Sequence, residues 1–434
     1  MKILFVENKY QTEFWEIIAK ELIKKGHEIF WLVQNHNFSP KVGYSYVIPY
    51  PSKKSLNNNI DENIKYIIDS DRNLNYFRKI EKGHYSYYSC EIIKILKKLN
   101  PNIIFGESTL FHELLTIHNA RKLGILYLFP TSCRYPKNRF SFYKYNSLEP
   151  FEGDQIPYNI QEALYIIKSI ADREVKPDYM VSINESLCVK FIKKWHNALL
   201  MTKSYYQGER YNLPSPITKY IIEIENKKLK QQWHKISSMK SFKRVDYRFY
   251  LMYPMHQQPE STIDVWGYPF NNQLEIIKEL LQNTNEDVLI VIKPNPKPYY
   301  ELTKELIDFI TANNRIIIVP LNVSMDAILN SIDLVVTVTG TIAIECIFSN
   351  KPVLTLIKTL NNENPNCIYL NDLSQLSLYV EMVKSNKFPK NTDENQVTFL
   401  NRLKTSSYEG VLAPPRCSKK SQKVYKLSPV TEPF

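Results

Sequence analysis

Apolar residues in this chain fall into two patterns: short β-branched or aromatic runs, and longer stretches in which they recur every three or four positions. The first pattern predicts strands and the second amphipathic helices. KILFVE (2–7) is a strand, residues 12–25 form a helix closed by Gly26, and HEIFWLVQ (27–34) is the next strand, a βαβ opening with a right-handed crossover. After an Asn- and Lys-rich stretch at 51–83, read as loop with helix, the order repeats: helix 85–99, strand PNIIFGE (101–107), helix 110–123 capped by Gly124, and strand ILYLFP (125–130). This is one doubly wound domain reaching to about residue 180. Residues 181–245 change to long polar helices with few core positions and read as a helical connector. FYLMYPMHQ (249–257), DVLIVIKPNP (287–296), RIIIVPL (315–321), DLVVTVTG (333–340) and PVLTLI (352–357) then supply five strands, with helical segments at 272–281, 299–312, 325–332 and 341–348 between them. A second doubly wound domain is expected over 246–390. The segment 391–434 loses periodicity and is expected to be largely disordered after 408.

A length of 434 residues accommodates two such domains and a tail. The 44% hydrophobic content suits a globular protein, and no apolar run approaches the roughly 18 to 20 residues that cross a bilayer. MKILFVENKY meets acidic residues too early for a signal peptide, so a cytoplasmic location is expected. The six cysteines show no CxxC or Cys/His spacing, so neither a zinc site nor a disulfide framework is indicated. The net charge of +12 and the 30 tyrosines raise nucleic acid, anionic lipid or acidic glycans as partners. Lys, Asn, Ile and Tyr are abundant throughout, however, as codon bias from an AT-rich genome would produce. No nucleic-acid partner is expected. Neither domain carries GxGxxG, which points away from NAD and FAD enzymes.

The candidate chemistry lies beyond strand ends. Residues 334–338 form a buried strand, and Thr339, Gly340 and Thr341 make the turn that opens the next helix. Gly340 permits close backbone approach, and free first-turn amides with two hydroxyls suit a phosphate. Glu345, one turn on, would accept from a ribose or sugar hydroxyl. The loop after 249–253 places His256, Gln257, Gln258, Glu260 and Ser261 at the end of another strand. In the first half, Glu7 and Glu107 each end a strand, where an acceptor hydroxyl would need a general base, and Glu107 is preferred because Ser108 and Thr109 follow it at a helix start.

Two tandem Rossmann-like domains with phosphate chemistry in the second point to the GT-B arrangement, in which two such domains face a cleft. PMHQQPEST (254–262), VIKPNP (291–296) and TVTGTIAIE followed by NKPVL resemble, in order and spacing, the bacterial capsule polysaccharide biosynthesis family, which includes Kdo transferases. FGE (105–107), LGILYLFP and CRYPKNRF are similar to that family's segment with two arginines around a proline, here Arg134 and Arg139. Asn295 stands where the family usually has histidine, so Lys293 or Lys297 would carry positive charge to the donor instead.

The resemblance implies transfer of a sugar, Kdo or another acidic sugar, from a nucleotide donor to a bacterial surface polysaccharide of capsule or lipopolysaccharide. A CMP-sugar is the favoured donor. Glu107 and Glu260 would be catalytic, and His256, Gln258, Ser261, Lys293, Asn295, Thr339, Gly340, Thr341 and Glu345 would bind the donor. Arg134 and Arg139 would bind the acceptor, a glycan or glycolipid. No cofactor beyond the nucleotide sugar is expected, and no metal, since no DxD-like motif follows a strand in the donor region. Peripheral attachment to the anionic cytoplasmic face of the inner membrane, through the C-terminal tail or the lysine-rich connector, is a further expectation. The alternatives are a nucleotide-sugar epimerase of the same shape and a non-catalytic glycan-binding subunit of a capsule assembly complex.

Overall fold

The computed structural model describes residues 1–57, 61–175, 187–238, 244 and 247–412. The first sheet is built on β1 (Lys2–Val6), β2 (Glu28–Val33), β3 (Tyr44–Val47), β4 (Ile103–Phe105) and β5 (Leu126–Ser132), all parallel. β6 (Arg139–Lys144) joins β5 antiparallel, and β7 (Pro150–Phe151) pairs with β6. Phe5 on the central strand stands opposite Trp31 on one side and Phe105 on the other, so the middle of this sheet is aromatic. The helix Thr12–Lys24 covers one face with Trp15 and Ala19; the helices Gly83–Leu99 and Phe111–Lys122 cover the other with Tyr88, Ile92, Leu96, Leu114 and Ile117.

The second sheet is wholly parallel: β8 (Phe249–Pro254), β9 (Val288–Lys293), β10 (Ile316–Ile318), β11 (Leu334–Thr337), β12 (Val353–Thr355) and β13 (Cys367–Tyr369), in the order β10-β9-β8-β11-β12-β13. Its strands are near-continuous apolar runs because both faces are buried. Ile276, Ile277, Leu306 and Ile310 pack on one face, and Ala343, Ile347, Phe399 and Leu400 on the other. The two domains are doubly wound and face each other across a cleft, the GT-B arrangement.

The chain crosses between domains more often than the sequence pattern predicts. The helix Ile160–Ala171, expected in the first domain, buries Ala163, Ile167 and Ile170 in the core of the second. The segment expected to lose periodicity from Lys390 is instead a helix, Asp393–Thr405, whose N-cap Thr392 accepts from the Asn395 amide. Its apolar stripe is thin, with Phe399 and Leu400 as its fully buried hydrophobics, which is why polar neighbours hid it. The chain then returns to the first sheet, where β14 (Tyr408–Glu409) pairs antiparallel with β6. The disorder expected after 408 falls on residues 413–434, outside the described residues. Among its described residues the expected connector holds two helices, Leu187–Tyr206 and Pro216–Ser238. The second contributes buried Trp233, whose Nε1 donates to the Val319 carbonyl at 3.1 Å.

Candidate functional site

In each sheet the strand order reverses beside one central strand, so the loops leaving two neighbouring strands run in opposite directions and open a crevice. In the second domain this point lies between β8 and β11, which places residues 255–260 and 338–341 at its rim. His256 is buried; its amide donates to Gln273 Oε1 at 2.8 Å and its ring Nε2 lies 3.2 Å from Thr337 Oγ1. Burial lowers the imidazole to about 4, so the ring is neutral. Nε2 faces a hydroxyl that already accepts from the Gly340 amide at 3.2 Å; in the tautomer in which Thr337 donates to Nε2 the proton sits on Nδ1, which makes no hydrogen bond among the described residues. Gly340 is required here: a Cβ would sit 2.5 Å from Thr337 Oγ1.

The amide cluster expected at 339–341 is narrower than the sequence suggests. The Gly340 amide is taken by Thr337, the amides of Ala343 and Ile344 by the carbonyls of Gly340 and Thr341, and the Thr339 hydroxyl by the Thr262 carbonyl at 2.6 Å. Thr341 remains, with its hydroxyl and amide and the amide of Ile342 unpaired among the described residues. The helix that follows, Ile342–Phe348, is short.

Several expected donor-binding residues are instead scaffolding. Gln258 is buried; its Nε2 donates to Asp264 Oδ1 at 2.8 Å and to the Asn271 carbonyl at 2.9 Å, and its Oε1 accepts from Gln273. Asn295 closes its own turn by accepting from the Lys297 amide at 2.9 Å. Lys293 is buried, donates to the Pro294 carbonyl at 2.7 Å, and is lowered to about 8 by that burial. Glu345 does not reach a ribose: one oxygen accepts from Tyr135 at 3.0 Å and the other from Arg173, which also holds Asp326. Arg139, expected on the acceptor, is buried and gives its guanidinium to Asp154, the Ser407 side chain and carbonyl, and the Lys404 carbonyl. It fastens the returning C-terminal segment to β6. In each case the polar side chain already has partners among the protein's own side chains and backbone groups.

The first-domain reversal lies between β1 and β4. Glu7, expected at the cleft edge, is inside: its Oε2 accepts from the amides of Gln34 and Asn35 at 3.2 and 2.9 Å. Burial, aided by the charges of Glu113 and Glu209, pushes it up to about 8. Glu113 accepts from Asn8 and from the amides of Thr109 and Leu110, and burial raises it to about 7. His112, neutral through burial, lies 2.8 Å from the Glu7 carbonyl and 3.2 Å from Asn212 Nδ2. Glu107 differs from all of these. Tyr127 holds its backbone, donating to the Glu107 carbonyl at 2.6 Å, and Gly106 lies so close to that hydroxyl that a side chain would collide. The Glu107 carboxyl itself is partly exposed and makes no hydrogen bond among the described residues. Burial, with Glu113 adding, pushes it well above the ordinary carboxylate range.

A cationic group missed by the sequence reading acts on the same buried cluster, the charge of Arg72 reaching Glu113 and His112. Lys9 lies 4.9 Å from the Tyr10 ring centre, and burial together with Arg72 lowers it to about 8. Enclosure opposes ionisation of Tyr10, but the charges of Lys9 and Arg72 prevail and lower the phenol to about 8. Arg72 donates to the Asn212 carbonyl at 3.3 Å and leaves its Nε buried without a partner. Lys9 and Tyr10 lie in the loop that leaves β1, after Glu7 and Asn8, and that position is the signal that marks them.

The two crevices meet. Thr109 Oγ1 and Ser261 Oγ are 2.9 Å apart, joining the Glu107 loop to the loop of His256. Tyr76 donates to Asp264 at 2.5 Å and stacks on Tyr300 with centroids 5.2 Å apart; Trp266 stacks on Phe129 at 5.4 Å. Glu260 is exposed; partial burial raises its carboxyl, offset by the Thr262 hydroxyl and by the charge of Arg134 from the other domain. Among the described residues no three His, Cys, Asp or Glu side chains converge to hold a metal, and no helix is long and apolar enough to cross a membrane.

No protein-family model matches this chain, and no curated protein sequence matches it. Solved structures similar to it in fold include the following three. One is a beta Kdo 2,7 transferase from Thermosulfurimonas dismutans, 13% identical over 93% of this chain and 100% of that one, TM-score 0.35. Another is UDP-GlcNAc 2-epimerase from Methanocaldococcus jannaschii in complex with UDP-GlcNAc and UDP, 14% identical over 93% and 99%, TM-score 0.31. The third is a glycosyltransferase from Rickettsia africae, 14% identical over 98% and 97%, TM-score 0.30. Likeness at this level assigns neither substrate nor reaction.

Proposed function

We propose that this chain is a GT-B glycosyltransferase that moves a sugar, Kdo or another acidic sugar, from a nucleotide donor to a bacterial surface glycan or glycolipid without a metal. The second domain (246–390) holds the nucleotide, with a CMP-sugar favoured, and the first (1–180) holds the acceptor. The observation that carries this reading is the joining of the two reversal points by Thr109 and Ser261, which sets an unpaired carboxyl, Glu107, on one rim and neutral hydrogen-bond donors on the other.

In the reaction the bond between the anomeric carbon and the donor phosphate oxygen breaks and a bond to the acceptor oxygen forms. Negative charge growing on the leaving phosphate is met by the His256 Nδ1–H and by the Thr341 hydroxyl and amide. Oriented neutral donors stabilise such charge without themselves needing reorganisation. Glu107 takes the acceptor hydroxyl's proton. Its raised pKa makes it a stronger base than an ordinary carboxylate, provided that it is ionised. Lys9 and Arg72, with Arg134 beside Glu260, supply cationic contacts for an acidic sugar or acceptor. Action on a membrane-borne acceptor would place the chain at the cytoplasmic face of the inner membrane.

The test is incubation of the purified protein with CMP-, UDP- and GDP-sugars, with and without oligosaccharide acceptors. Glycosylated acceptor that forms with wild type and disappears with Glu107→Gln supports the reading. Epimerised donor in the absence of acceptor would assign an epimerase, and nucleotide binding without turnover a binding subunit.

A further inference from the structure

The helix Leu187–Tyr206 is amphipathic in the wrong sense for a surface helix. It rests on the rest of the protein through Asn197, Leu200, Met201 and buried Ser204, which accepts from Asn37 Nδ2 at 2.9 Å. With 3.6 residues per turn, the opposite face carries Phe191, Ile192, Trp195, Leu199 and Tyr206. Each of these is between 57% and 69% exposed. Solvent-facing helical surfaces are normally polar, and contiguous exposed apolar patches mark an interaction surface. The next helix, Pro216–Ser238, adds exposed Ile217 and Tyr220 near its start.

Charge selects the occupant. The helix LCVKFIKKWHNALLMTKSYY contains four lysines and a histidine and no acidic residue, and exposed Lys194, His196 and Lys203 flank the apolar stripe. A second copy of the chain docking through this face would set these cations against each other. An anionic lipid surface would attract them, while Trp, Tyr and Phe are the side chains that settle at a membrane–water interface. No described helix is long and apolar enough to cross a bilayer, so this helix would lie in the interface plane.

We propose that the helix Leu187–Tyr206 is the surface by which the chain lies on an anionic lipid bilayer. The inference stands on the exposed stripe and its flanking charge, independently of the proposed reaction. The experiment is co-sedimentation of the full chain with vesicles of phosphatidylethanolamine and phosphatidylglycerol, against phosphatidylcholine alone, with sedimentation velocity in the absence of lipid. Wild type should partition onto the anionic vesicles on the order of tenfold better than onto neutral ones, and less so at about 0.5 M salt. The double variant Ile192→Asp with Leu199→Asp should lose this partition on the order of tenfold. Because both side chains are exposed, its circular dichroism and melting temperature should match wild type. Deleting residues 413–434 should leave partition unchanged. No preference for anionic vesicles, or equal partition by the double variant, overturns the proposal. So does a self-association that the double variant abolishes, or a partition that depends on the tail alone.

Discussion

The two reversal points share a topology and differ in chemistry. The first-domain crevice is packed with titratable groups: Glu7, Glu113, His112 and Glu209 lie buried behind Lys9, Tyr10 and Arg72. The second-domain rim is neutral, built from His256, Thr337, Gly340 and Thr341. On the proposed reading, position beyond the strand ends says where ligands would bind, and the side chains say which task each half would perform. A rim of fixed neutral dipoles suits a leaving phosphate, since it stabilises charge without forming a permanent ion pair. A crevice of shifted carboxyls suits proton handling.

Glu107→Gln should produce the largest effect. It removes the unpaired base while keeping size, and should lower kcat by about 10²- to 10⁴-fold with little change in donor binding, read in transfer assays. The carboxyl acts as base only when ionised, and its pKa is raised. Wild-type kcat/KM should therefore climb with pH through a midpoint above that of an ordinary glutamate, a climb that the variant lacks. His256→Ala, on the neutral rim, should lower kcat on the order of a hundredfold. Because the ring is already neutral, it should leave the shape of the pH profile unchanged. If both variants changed the profile alike, the division of labour between the two crevices would fail.

Much of this architecture is legible in the sequence, for a physical reason. The strands of both parallel sheets are buried on both faces and so read as uninterrupted apolar runs, as in VLIVIK and LVVT. The antiparallel additions β6, β7 and β14 and the helix Asp393–Thr405 escaped because their apolar positions are few and their partners are distant in the chain. Of the expected site, the loops were legible but the roles within them were not. Gln258, Glu345 and Arg139 have the right chemistry and the right neighbourhood, yet each has an internal partner supplied by tertiary structure, while Asn295 caps its own turn. Arg72 was missed because it opens a short helix, Arg72–Asn75, too brief to give a periodic signal, and nothing in the sequence sets that helix beside Lys9 and Tyr10.

A smaller effect separates the crevices through stability. Glu7 titrates near 8 in the fold and near its ordinary 4.5 when unfolded. Between these values the folded state holds the extra proton, so this contribution is complete below the lower value and is lost as pH rises through the higher one. His112 and His256, lowered to about 4, act in the opposite sense, and only up to about pH 6.5. Glu113 and Glu107, also raised by burial, act in the same sense as Glu7, so stability should fall by at least about 1–2 kcal/mol from about pH 6.5 to 8 in denaturant titrations, and Glu7→Gln should lessen that fall without abolishing it. The smallest effect concerns the joint between the halves. A double-mutant cycle on Thr109→Ala and Ser261→Ala should return a coupling of about 1 kcal/mol, and a coupling near zero would uncouple the crevices.

The most direct test is the melting temperature of the purified protein against CMP, UDP, GDP and their sugars. A ligand that binds only the folded state at a hundredfold over its Kd adds about 2.7 kcal/mol. A nucleotide should raise the melting temperature, CMP most, and the rise should vanish in Thr341→Ala and His256→Ala while persisting in Glu107→Gln. No rise with any nucleotide, or a rise that survives both second-domain substitutions, would contradict the assignment of the donor to the second-domain crevice.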